Sequence, residues 1–78
     1  MTHDEVVHLG DKLAASQIEM YERAFGLKIG TAFAAGIARG ACRWVVAKFG
    51  ARTAFEMMSS IADECLGNEL IRTPSSNQ

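Results

Sequence analysis

The sequence predicts an all-α fold of three helices, and three observations predict it. Apolar residues recur at helical spacing in three successive stretches, glycines interrupt the pattern at Gly26, Gly30 and Gly50, and the first stretch opens on a helix-start signal.

That signal is Thr2 followed by Glu5. The spacing is that of a capping box, in which hydroxyl and carboxylate each satisfy an amide donor that the first turn of a helix leaves unpaired. Val6, Leu9, Leu13, Met20, Ala24 and Phe25 then recur with the helical beat, while Asp4, Glu5, His8, Lys12, Glu19, Glu22 and Arg23 fill the other face. Helix 1 is therefore amphipathic and runs to about Phe25. Gln17 interrupts its apolar face between Leu13 and Met20. A polar residue there fixes register where a partner amide or carbonyl is available, and otherwise stands half-exposed at the boundary.

Gly26 and Gly30 each disfavour helix by about 1 kcal/mol relative to alanine, which places the first break across 26–30. Helix 2 is expected from Thr31 to Phe49, with Gly50 as a left-handed C-terminal cap. At about 100° per residue, Phe33, Ala34, Ile37, Ala38, Ala41, Trp44 and Val45 share one arc and Lys28, Arg39 and Arg43 the other. Helix 3 follows Gly50, with Thr53 and Glu56 as a candidate second capping pair. Its apolar set is Ala51, Ala54, Phe55, Met58, Ile61, Ala62, Cys65 and Leu66. Gly67 and Asn68 are its expected end, Leu70 and Ile71 offering a further apolar contact before Thr73 and Pro74.

A turn this short between helices 2 and 3 implies an antiparallel hairpin. The expected architecture is a long helix 1 on that hairpin, one domain over 1–72 with a disordered tail at 73–78. Chains of this length, 78 residues, rarely bury enough apolar area to be comfortable alone, so a helical bundle completed by dimerisation is expected.

Net charge is −1, which supplies no field toward nucleic acid or anionic lipid, but the charge is unevenly distributed. Residues 1–25 set five acids against two bases, residues 26–52 hold Lys28, Arg39, Arg43, Lys48 and Arg52 with no acid, and the remainder sets four acids against one base. The start of the chain lacks the basic and apolar runs of a signal peptide. The most apolar stretch, Ile29 to Ala38, is 10 residues long, short of the ~20 that cross a bilayer. A cytoplasmic location is expected.

The residues suited to chemistry do not combine. Cys42 and Cys65 lie within helical patterns. The hairpin sets them about seven residues out of register, roughly 10 Å, too far for an intrachain disulfide, so they read as reduced and inert thiols. His3 and His8 sit about 140° apart around a helix, off any shared ligand face. The pairs Glu19 with Glu22 and Asp63 with Glu64 fall on solvent faces without a cleft to perturb them. The glycines follow helices, with no strand before them to form a phosphate loop. No enzyme site, cofactor, metal or small-molecule substrate is indicated.

Two features of helix 2 remain. Ala32, Gly36 and Gly40 recur every fourth residue and leave a groove that admits a close-packed helix, either from the same chain or from a second copy or partner. The basic residues Lys28, Arg39 and Arg43 suit an acidic protein or phosphates, or else form a solvated face. Trp44, beside Arg43, fits a core or interface anchor better than a stacking platform. The expected function is a small non-enzymatic interaction module, a regulator or inhibitor docking on a larger protein through a helical face. Lys28, Arg39, Arg43 and Trp44 are the contact candidates and a homodimer the expected state. A dimeric nucleic-acid-associated regulator is the second reading, weakened by the absence of a helix-turn-helix cadence, zinc-ligand spacing or a basic run. A site completed across chains is the third.

Overall fold

The computed structural model describes the backbone of residues 1–72 and the side chains of residues 1–67. The tail expected at 73–78 lies outside the described residues. Three helices follow one another, α1 His3–Phe25, α2 Leu27–Phe49 and α3 Ala51–Arg72, and no strand occurs among the described residues. The fold is all-α.

The capping box forms as the spacing predicts. Thr2 Oγ1 accepts from the Glu5 amide at 3.1 Å, and Glu5 Oε1 accepts from the Thr2 amide at 2.8 Å. At the far end of α1 a single residue makes the break. Gly26 has φ +98°, a backbone state open essentially to glycine. Its N–H donates to the Glu22 carbonyl at 2.7 Å, and its own carbonyl accepts from the Gly30 amide at 3.0 Å. Gly26 thus closes α1 and opens α2.

This corrects the expected start of helix 2 at Thr31. Gly30 lies inside α2 and is buried, and α1 and α2 have the same length, 23 residues. Propensity penalises Gly30, but tertiary packing needs it: a Cβ there would stand 2.9 Å from the Glu22 Cβ. Gly50 repeats the device of Gly26, with φ +94°, its N–H donating to Val46 at 2.9 Å and its carbonyl accepting from Ala54 at 3.1 Å. Since α3 begins at Ala51, Thr53 stands within its first turn rather than capping it. Glu56 lies 3.6 Å from the Arg52 guanidinium instead. The helix also continues through Gly67, past its expected end, to Arg72.

The chain divides into two compact units within α2, one being Met1–Ala41 and the other beginning at Cys42. In the first, α1 meets the start of α2 beside the Gly26 joint. Tyr21 stacks on Phe33 at 4.1 Å between centroids and 29° between planes, and meets Phe25 edge-on at 6.1 Å. The shielded positions are Ala14, Ile18 and Tyr21 on α1 and Gly30, Phe33, Ala34 and Ile37 on α2, each set at helical spacing. They form a thin seam. The face of α1 expected to be buried is a different one: Val6, Leu9, Leu13 and Met20 are all exposed, and no residue of α1 is fully buried. The expected stripe is centred roughly 110° around the helix from the shielded one. Helical period alone did not distinguish two adjacent apolar faces.

In the second unit, Val45 (5% exposed) and Ala54 (2%) are buried, with Cys42, Met58 and Ser59 half-buried. Phe55, beside Ala54, is 72% exposed. Val45 and Ala54 are the whole buried apolar set of the described residues.

Candidate functional site

The features that stand out chemically are exposed helix faces. Lys28, Arg39, Arg43 and Trp44 are all exposed on α2. Arg39 and Arg43 are four residues apart, about one turn, so their guanidinium groups project from the same side of the helix. Among the described residues the charged contacts are Arg52 with Glu56 and the imidazole of His3 beside Asp4, each at 3.6 Å, and the bases from Lys28 to Lys48 have no carboxylate partner among those residues. Five unopposed donors per guanidinium suit carboxylate or phosphate groups.

Trp44 is not a core residue: its place on the apolar arc of α2 leaves it 58% exposed. Phe49 meets its ring edge-on at 6.3 Å and 66°, and Lys48 Nζ stands 5.7 Å from its centroid, within cation–π range. Trp44, Lys48 and Phe49 form one exposed cluster at the end of α2. Val45, the residue after Trp44, takes the buried position, and an arc drawn at 100° per residue is wider than one neighbouring helix covers.

The groove of Ala32, Gly36 and Gly40 is open within the chain. All three are exposed, and a Cβ added at Gly36 or Gly40 would meet nothing within 4 Å. The close approach made inside the chain is at Gly30, which the fourfold spacing did not pick out. Its sequence signal was the glycine itself in an otherwise helical run, read there as a break.

The remaining groups stay apart. Among the described residues no three of His, Cys, Asp and Glu gather as metal ligands would. Cys42 and Cys65 are free thiols. Glu19, Glu22 and Arg23 border an open depression of about 320 Å³ on α1, and Ala51, Arg52, Phe55 and Glu56 another of about 370 Å³ on α3. No described helix is long and apolar enough to cross a membrane. The fold is that of a small all-α chain with exposed basic and aromatic positions on α2. Comparison with protein families, curated proteins and solved structures finds no match.

Proposed function

We propose that the chain is a non-enzymatic protein-interaction module that docks on an acidic surface of a larger protein through α2, with Arg39, Arg43 and Trp44 as contacts. One observation carries the reading. An exposed tryptophan, braced by Phe49 and Lys48 and next to an arginine without an ion-pair partner among the described residues, has the composition of an interface anchor, where Trp, Tyr and Arg are enriched. Desolvating Trp44 against a partner contributes favourably, and the basic residues steer acidic partners to it.

The test is site-specific photo-cross-linking in the native cell extract. A photoreactive side chain at Trp44 is expected to give a discrete adduct heavier than two copies of the chain, and Arg39→Glu/Arg43→Glu is expected to abolish it. The same probe at Ser60, an exposed polar position on α3, serves as control. Equal labelling at both positions, or an adduct indifferent to the arginine variant, would remove α2 from the reading.

The bases of α2, without a carboxylate partner among the described residues, also support a nucleic-acid reading. Retardation of a duplex probe in low salt that weakens steeply as salt rises would favour it over a protein partner.

A further inference from the structure

The exposed stripe of α1 has its own pattern, independent of α2. Val6, Leu13 and Met20 are seven residues apart, and Gly10, Gln17 and Ala24 fall at the intervening heptad positions. Large apolar residues thus alternate with smaller or polar ones along a face that the chain leaves open, Leu13 being 56% exposed. The seam with α2 occupies the neighbouring face at Ala14, Ile18 and Tyr21, so α1 has room for a second helix.

Charge says which helix fits. Glu5, Lys12, Glu19 and Arg23 lie on one flank of the helix, within an arc of about 40° and about 100–140° from the middle of the stripe, in the order acid, base, acid, base. All four are exposed, and neither Lys12 nor Arg23 has an ion-pair partner among the described residues. Turned end for end, this order is its own complement. We infer that α1 pairs antiparallel with α1 of a second copy, Val6 facing Ala24, Leu13 facing Gln17 and Met20 facing Gly10. In that register Glu5 falls on the same side as Arg23 and within about two residues of its level, and Lys12 within about one of Glu19, each twice because the contact is isologous. Large side chains meet small ones, with Gly10 open to receive Met20. The parallel arrangement would set Val6 on Val6, Leu13 on Leu13 and Gly10 on Gly10, large side chains meeting large and small meeting small, and would hold the two charged flanks on opposite sides of the pair. The pairing also covers apolar surface that a core of Val45 and Ala54 leaves in water. The inference rests on the reading of the chain as an interaction module and names a second copy as the occupant of this face.

Light scattering and cysteine trapping test it on the full chain. Wild type is expected at twice the mass of one chain at micromolar concentration. Leu13→Glu, at an exposed position of the single chain, is expected to weaken self-association about a hundredfold with helicity unchanged, because it sets an uncompensated charge in the middle of the contact. Arg23→Glu is expected to weaken it about tenfold by opposing two acids at both ends. In a Cys42→Ser/Cys65→Ser background, chains with Val6→Cys mixed with chains with Ala24→Cys are expected to form the mixed disulfide. Like positions on two antiparallel copies lie about 27 Å apart, so Val6→Cys chains alone are expected not to cross-link. A single-chain mass at every concentration, a double mass that Leu13→Glu leaves intact, or cross-linking of like positions would overturn the pairing. If Leu13→Glu loses helicity, the trapping decides. A monomer that retains the Trp44 adduct ends this inference alone, whereas a trapped dimer without that adduct ends the docking proposal alone.

Discussion

Gly30 stands so close to Glu22 that a methyl group on it would lie 2.9 Å from the Glu22 Cβ and 3.2 Å from its Cα. The near atoms are backbone and the root of a side chain, neither of which swings away, so accommodation requires the helices to separate. Gly30→Ala is therefore expected to lower stability by about 1–2 kcal/mol, overpacking outweighing the gain in helix propensity. Gly36, in the same helix but with open space beside it, carries the opposite sign. Gly36→Ala is expected to raise stability by up to about 1 kcal/mol. Urea denaturation of the two variants at one protein concentration reads the contrast. Two losses of similar size would show that the Gly36 face is packed in solution.

Gly26 and Gly50 are expected to resist substitution for a different reason. Both have open space around a would-be Cβ, yet their φ values of +98° and +94° are ones an L side chain rarely adopts. Gly26→Ala and Gly50→Ala are each expected to lower stability by about 1–3 kcal/mol through backbone strain alone. In a domain of this size 1 kcal/mol corresponds to roughly 4–8 °C in Tm. A Tm unchanged by either variant would mean that the joint is made elsewhere.

These joints show what was legible in the sequence. Three helices, the Thr2 and Glu5 cap and the Gly50 joint follow from residue type and spacing, because local hydrogen bonding and backbone sterics decide them. The start of α2 is not legible in the sequence because Gly26 and Gly30 look alike to propensity. One is a conformational necessity and the other a packing necessity, and only the second helix in place distinguishes them. The orientation of α1 was hidden for a related reason. Its apolar arc is wide enough to hold two stripes, and Ala14, Ile18 and Tyr21 carry less hydrophobicity than Val6, Leu9 and Leu13, so hydrophobicity favours the stripe that the fold leaves exposed. The basic and small-residue faces of α2 were visible as patterns, but pattern does not determine exposure, and Trp44 proved a surface residue.

Tyr21 and Phe33 supply the most specific contact of the first unit, stacked at 4.1 Å. Tyr21→Ala and Phe33→Ala are each expected to lower stability by about 2–4 kcal/mol. The pair is expected to show a coupling of about 0.5–1.5 kcal/mol in a double-mutant cycle. Strict additivity would indicate that the rings do not touch in solution.

Ala54 and Phe55 invert the usual relation between size and burial, and the last expectation follows from it. The small residue is 2% exposed and the large one 72% exposed, so the methyl of Ala54 is enclosed close to the Gly50 joint while the phenyl ring meets water. Ala54→Leu would force a branched side chain into space measured for one carbon, at a cost of about 1–3 kcal/mol. Phe55→Ser removes far more apolar surface, yet from the outside, and is expected to change stability by no more than about 0.5 kcal/mol. Thermal melts at one fixed concentration check both, since the stability of any self-associating chain depends on concentration. If Phe55→Ser proved the more damaging, Phe55 would be covered in solution by a surface outside the single chain, and a concentration dependence of melting that Phe55→Ser abolishes while Leu13→Glu keeps it would identify that surface as a second copy.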